Sequence, residues 1–144
     1  MSAELIITSV SETKPKLVCG EKISILANSD QTGCYEVYLH DAPENAGPPP
    51  HCHEWDEAFY VIDGAVEFNC GGLIRMVTAG GFVHVPSGTV HSFRYASATA
   101  QILGITSRGG AAKMFAAVDS ECGPAPQIDK LIGVLSTNGV QVVL

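Results

Sequence analysis

The sequence predicts an all-β fold, a sandwich or barrel of short strands that ends in a short helical tail. Short apolar runs are broken every few residues by Gly, Pro, Asn or Asp, which is typical of strands joined by turns. Beyond about residue 109 the apolar residues adopt helical spacing instead. The length of 144 residues suits one domain, so we expect a single domain over 1–144, with a barrel core at about 20–108 and a helical tail at about 109–144.

The predicted strands are apolar runs rich in β-branched and aromatic residues. They cover residues 4–10, 22–27, 34–40, 58–62, 66–69, 73–78, 82–85, 91–95 and 101–107. Asp63-Gly64 has the composition of a tight hairpin turn, and Gly71-Gly72 and residues 86–88 mark two further turns. Residues 41–50 are rich in proline, so this segment is predicted to be a stiff loop that leads into His51.

The tail is predicted to form two short helices, over residues 110–117 and 127–135. The second has Ile128, Leu131, Ile132 and Leu135 at helical spacing. A Gly-Pro-Ala-Pro segment separates the two helices, and Asn138-Gly139 leads into a possible last strand at 140–144.

Composition excludes several classes of function. The net charge is −7, from 8 basic and 15 acidic residues, so nucleic acid is not an expected partner. No apolar run is long enough to span a membrane, and the first ten residues make a poor export signal. The five cysteines are scattered without CxxC spacing, which indicates free thiols in a reducing cytoplasm. We therefore expect a cytoplasmic protein whose partner is a small-molecule substrate.

Four polar residues stand out as candidate metal ligands: His51, His53, Glu57 and His91. Side chains alternate along a strand, so His51 and His53 project from one face. Glu57 is an even number of residues from both histidines, so it projects from the same face if the chain stays extended. It opens an apolar strand, where a buried carboxylate needs a partner such as a metal ion. His91 opens another strand after the turn at 86–88. This nitrogen and oxygen donor set suits one divalent transition-metal ion, namely Fe, Mn, Ni, Co, Cu or Zn.

Apolar residues are predicted to line a substrate pocket beside these ligands. Phe59 and Val61 share the face of Glu57, and Phe93 and Tyr95 share the face of His91. A mostly apolar lining with a few fixed polar groups is typical of small-molecule pockets.

Other polar residues near the motifs have simpler interpretations. We expect His40 and His84 to be surface residues or satisfied core residues, with the inward-facing alternative open for each. Cys52 should turn to the face opposite the ligands and pack there. Trp55 could gate the pocket or simply pack, and Glu54 and Asp56 should be solvated.

These residues resemble the two motifs of the cupin superfamily. The first motif corresponds to His51-Cys52-His53, Glu57 and Gly64. The second corresponds to Gly80, Pro86-Ser87-Gly88 and His91, with Tyr95 in place of a common Asn. The wider chain, roughly residues 20–144, resembles small single-domain cupins related to quercetin dioxygenase. The resemblance implies a jelly-roll β-barrel (a double-stranded β-helix) with the metal near one mouth, and commonly a homodimer.

Three functions follow as hypotheses. The first is a metal-dependent dioxygenase acting on a flavonol-like or other enolic, chelating substrate, with Glu57 as a ligand and as a base for the substrate hydroxyl proton. The second is a non-redox isomerase or lyase, which needs a base beyond the ligands, such as His40, His84 or Tyr38 if one faces inward. The third is a binding module without turnover. One fold hosts many reactions, so the motifs do not choose among these hypotheses.

Overall fold

A computed structural model describes residues 3–144 as two antiparallel sheets that face each other, the jelly-roll architecture that the sequence predicts. The strands are β1 (Lys16–Val18), β2 (Glu21–Ala27), β3 (Tyr35–Pro43), β4 (His51–Cys52), β5 (Glu57–Asp63), β6 (Ala65–Cys70), β7 (Leu73–Thr78), β8 (Phe82–Val85), β9 (His91–Tyr95), β10 (Thr99–Ser107) and β11 (Gln141–Val142). One sheet has the order β1-β2-β3-β10-β5-β8, and the other has the order β11-β4-β9-β6-β7.

The helices lie mostly at the C-terminal end, as predicted. They are a one-turn helix α1 (Ser29–Thr32), then α2 (Ala111–Cys122) and α3 (Ile128–Thr137), and a 3-10 turn covers Val10–Glu12. A buried carboxylate anchors α2, because Glu36 on β3 accepts a hydrogen bond from the Ala112 amide at 3.0 Å. Among residues 3–144, no helix has both the length and the apolar character needed to cross a membrane.

The prediction of a first strand over residues 4–10 is wrong. This segment pairs with no strand of the described chain and ends in the 3-10 turn. Its apolar alternation is not explained by burial, because Leu5 and Ile7 are 89% and 88% exposed. Alternation predicts a strand only where a neighbouring strand and a core are available to the segment.

The interior contains two apolar clusters. One lies inside the barrel and includes Phe59, Val61, Phe68, Phe93 and Tyr95. The other joins the barrel to the tail and includes Tyr38, Trp55, Phe115 and Leu135. The amphipathic tail therefore buries its apolar face against one end of the barrel, and this end carries the candidate site.

Candidate metal centre

Three strands bring the candidate ligands together. His51 opens β4 and lies directly opposite His91, which opens β9. His53 follows β4, and Glu57 opens β5. All four side chains are buried.

The loop before His51 is fixed to β9. The amide of Asn45 donates to the Tyr95 carbonyl at 2.8 Å, and the amide of Tyr95 donates to the Ala46 carbonyl at 3.1 Å. Gly47, at φ +137°, lies so close to the Phe93 carbonyl that a Cβ would collide with it. The loop therefore requires glycine here, and its docking places His51 beside His91.

The three imidazoles converge on one point. The ligand atoms offered by His51, His53 and His91 lie within 4.8 Å of one another. The Oε1 atom of Glu57 lies 3.2 Å from Nε2 of His53 and 3.2 Å from Nε2 of His91. The structure thus brings together all four residues that the sequence singled out.

Backbone carbonyls orient the three rings. Nδ1 of His51 donates to the Pro49 carbonyl at 2.8 Å, and Nδ1 of His91 donates to the Thr89 carbonyl at 2.8 Å. Nδ1 of His53 donates to the Trp55 carbonyl at 3.0 Å. A carbonyl oxygen can only accept a hydrogen bond, so each Nδ1 carries a proton. In the neutral ring Nε2 is then unprotonated and has a free lone pair. Histidine ligands in metal sites are held in this way.

The resulting electrostatics fit a cation. Nε2 lone pairs and the Glu57 carboxylate face one another, an arrangement that needs either protons or a positive ion between them. Burial and, to a smaller extent, the charge of the neighbouring His91 together lower the pKa of His51 to about 4. Burial raises the pKa of Glu57, but in the absence of a metal ion the hydrogen bonds from His53 and His91, and their positive charge when protonated at Nε2, outweigh burial and bring it to about 2. A neutral imidazole and an ionised carboxylate are the forms that bind a metal ion.

A small, partly enclosed cavity is lined by His51, His53 and Glu57. Its free volume is about 40 Å³, enough for roughly three water molecules at about 10–15 Å³ each. The cover comes from the tail: Ala111, Met114, Phe115, Leu135 and Val140. Pockets for drug-sized ligands have about 300–1,000 Å³, so this conformation accommodates only a small molecule.

The fold agrees with the comparison to known proteins. Residues 38–105 match the cupin domain family, so this part of the chain is a cupin domain. The quercetin 2,3-dioxygenase of Bacillus subtilis (strain 168) is 27% identical to this chain over 97 residues, which are 66% of this chain and 29% of that enzyme. The chain therefore spans less than a third of the length of this curated relative.

Solved structures show the same fold. An RmlC-like cupin from Shewanella frigidimarina superposes with a TM-score of 0.68 and 18% identity, covering 78% of this chain and 99% of that chain. The polyketide cyclase RemF from Streptomyces resistomycificus superposes with a TM-score of 0.64 and 20% identity, covering 72% of this chain and 80% of that chain. At these identities the likeness shows the fold alone.

The predicted pocket residues do not all reach the cavity. Phe93 lines it. Phe59, Val61 and Tyr95 are buried in the cluster inside the barrel and are absent from the lining, which differs from the expectation. Inward-facing residues two and four positions beyond Glu57 lie progressively deeper along the strand, so a shared face does not imply a shared pocket.

Trp55 packs rather than standing free. Its ring stacks on His53 with centroids 4.3 Å apart, and it is almost fully buried. Gly109 leaves room for it, because a Cβ there would lie 2.6 Å from Trp55 Cβ. Its Nε1 has no hydrogen-bond partner within residues 3–144. Trp55 lines the cavity, and a gating role stays a prediction.

The remaining polar residues divide as expected, with one exception. Glu54, Asp56 and His84 are exposed, and Cys52 is half-buried beside its buried neighbour His51. His40 is instead buried and lines the cavity, as does Glu21, which sequence analysis missed. The alternation of side chains along a strand shows which residues share a face but not which face is buried. The direction of His40 therefore depends on which side of β3 meets the other sheet.

The stability of the metal-free protein should depend on pH through His51. Because the pKa of His51 falls from 6.5 to about 4 on folding, the unfolded chain binds more protons between these values. The free energy of unfolding is therefore expected to fall by about 3 kcal/mol as pH decreases through this window. Urea unfolding of chelator-treated protein at several pH values measures this change. The free energy of unfolding of His51→Gln should no longer change with pH in this window, whereas that of His84→Gln should change as in wild type. Equal pH dependence in wild type and both variants would contradict the assignment to His51.

Proposed function

We propose that His51, His53, Glu57 and His91 bind one divalent transition-metal ion and that the chain is a dioxygenase for a small enolic substrate. One observation carries the metal site: three Nε2 lone pairs and one carboxylate meet in a buried place, while each Nδ1 is committed to a backbone carbonyl. Such a set of acceptors is stable when a cation lies among them. Fe, Mn, Ni, Co, Cu and Zn all suit these ligands.

The reaction class is supported by the similarity to the Bacillus subtilis quercetin 2,3-dioxygenase. That similarity covers 29% of the enzyme, and the free volume beside the histidines is about 40 Å³. We therefore propose a compact enolic compound that chelates through two oxygens, rather than a flavonol. A flavonol requires the cover formed by α2 and α3 to move away.

The residues of the chain divide the work of such a reaction. The three histidines and Glu57 would hold the ion, and the bound ion would supply Lewis-acid stabilisation of negative charge on a substrate oxygen. Phe93 and the apolar side chains of α2 and α3 line the cavity, so that a bound substrate would displace its water. Exclusion of water strengthens electrostatic interactions and protects reactive species from side reactions. Glu57, ionised and buried, is close enough to the ligands to accept a proton as well.

Oxygen consumption tests this proposal. Protein loaded separately with Fe(II), Mn(II), Ni(II), Co(II) or Cu(II) is assayed in an oxygen electrode with small β-diketones and a flavonol. We expect uptake with a small diketone, and a rate lowered by roughly 10²–10⁴-fold in His51→Ala and Glu57→Gln. His84→Gln, which changes an exposed histidine, is the matched control and should retain the rate. No oxygen uptake with any ion and substrate would refute the dioxygenase.

The inward position of His40 favours a second candidate, a non-redox isomerase or lyase. Such an enzyme needs a base beyond the ligands, and His40 lines the cavity. It would work with Zn(II) and turn over its substrate under argon, which separates it from the dioxygenase. Binding without turnover is the remaining candidate, with the ligand recovered unchanged. The homodimer and the cytoplasmic location stay predictions.

A further inference from the structure

A buried chain of three polar side chains lies behind the cavity. Nδ1 of His40 lies 3.0 Å from Oε1 of Glu21, and the hydroxyl of Tyr95 donates to the same oxygen at 2.6 Å. His40 and Glu21 are each 2% exposed and Tyr95 is fully buried. None of the three belongs to the proposed ligand set, and the barrel interior has no evident packing reason for a carboxylate.

The direction of these hydrogen bonds fixes the state of the ring. Burial and the charge of Glu21 raise the pKa of Tyr95, so its hydroxyl keeps its proton and donates. Oε1 of Glu21 accepts from both neighbours, which requires a proton on Nδ1 of His40. In the neutral ring Nε2 is then an unprotonated base.

Nε2 of His40 has no partner within the described residues, 3–144. A buried acceptor without a hydrogen bond is rare and needs an explanation. Gly104 makes room for it, because a Cβ there would lie 2.6 Å from Nε2. Aromatic neighbours, among them Phe59 and Phe115, surround the ring without satisfying this nitrogen.

The same small cavity is lined by His40, Glu21, His51, His53 and Glu57. Its free volume of about 40 Å³ holds roughly three waters. A molecule bound beside the metal ligands therefore also lies beside the ring of His40. Nε2 itself is closed off from solvent and faces Gly104, so the ring has to turn to bring Nε2 to the ligand.

We propose that His40 is the general base of this enzyme and that Glu21 and Tyr95 are its positioning residues. The O–H bond of the enolic substrate breaks, its proton passes to Nε2 of His40, and the electron pair stays on the substrate oxygen. The carboxylate of Glu21 then accepts a hydrogen bond from Nδ1–H of the protonated His40 ring and stabilises its charge. The hydroxyl of Tyr95 holds this carboxylate in place. This inference rests on the proposed metal site, and it assigns the proton to His40 rather than to Glu57.

The test counts protons during the binding of acetohydroxamic acid, a small chelator that loses a proton when it binds zinc. Calorimetry of the zinc-loaded chain in two buffers of different ionisation enthalpy gives the number of protons released. Wild type should release about one proton fewer for each bound ligand than His40→Gln. His84→Gln, the matched control, should behave as wild type, and Glu21→Gln should release an intermediate number. Ring ¹⁵N NMR of wild type should show Nε2 of His40 becoming protonated on binding, a readout that needs no variant to fold.

The outcomes separate this inference from the proposed function. If zinc does not bind, both fail. If wild type and His40→Gln release equal numbers of protons, or if Nε2 of His40 stays unprotonated in the complex, the proton goes elsewhere and only the assignment to His40 is overturned. Failure of the zinc-loaded wild type to bind acetohydroxamic acid also overturns it, since a cavity that excludes so small a ligand offers His40 no proton to accept.

Discussion

Replacing His91 with alanine is expected to weaken the binding of a divalent transition-metal ion by more than about 100-fold. Changes to residues that only support metal ligands already cost 10–100-fold, and His91→Ala removes a proposed ligand itself. It also leaves Glu57 with one imidazole neighbour instead of two, since Oε1 of Glu57 lies 3.2 Å from both His53 and His91.

The single tryptophan of the chain provides the measurement. Trp55 stacks on His53 with ring centroids 4.3 Å apart, so Co(II) or Ni(II) bound at His53 should quench its fluorescence. Titration of the chelator-treated protein then gives the affinity. His84→Ala removes an exposed histidine from β8 and should leave the affinity unchanged. Equal affinities for His91→Ala and wild type would show that the ion binds elsewhere.

Replacing Phe115 with alanine is expected to lower the free energy of unfolding by about 3–5 kcal/mol. Phe115 on α2 is buried and packs edge-on against Tyr38, with ring centroids 4.9 Å apart. Removing the ring leaves a void between the tail and the barrel and loses the transfer free energy of the aromatic group. The same change enlarges the cavity, so Phe115→Ala should also accept bulkier diketones than wild type.

Urea unfolding of the two metal-free proteins measures the loss. Phe82→Ala is a matched control, because Phe82 on β8 is 65% exposed and its removal should change stability by no more than about 0.5 kcal/mol. Metal affinity, read from Trp55 fluorescence, should persist in Phe115→Ala because the proposed ligands come from the strand region. Similar small losses for both variants would show that α2 does not pack on the barrel as described.

The sequence was sufficient for much of the sheet and for the positions of the candidate ligands. The strands near 58–62, 66–69 and 91–95 alternate because one face is buried, and the structure shows strands at Glu57–Asp63, Ala65–Cys70 and His91–Tyr95. The spacing of His51, His53 and Glu57 is likewise a local property of the chain, whereas His91 reaches them through the pairing of β4 with β9.

What the sequence could not supply depends on long-range pairing. The two-residue strands β4 and β11 are too short to show a period, and they exist because they pair with each other. The inward face of His40 depends on the register of β3 against β10, where His40 lies opposite Ile102. The helical periodicity of the tail predicted an apolar face but not the cavity that this face covers.

The pairing of β11 with β4 is the strand pairing that needs the most C-terminal residues. It involves the first candidate ligand, since Val142 lies opposite His51. A ribosome releases the N-terminal part of a chain first, so a nascent chain has made every proposed ligand before it has made the strand that flanks His51. Until residue 142 emerges, β4 is held in its sheet by β9 alone. Completion of the proposed centre and docking of the tail that covers it therefore come late in biosynthesis.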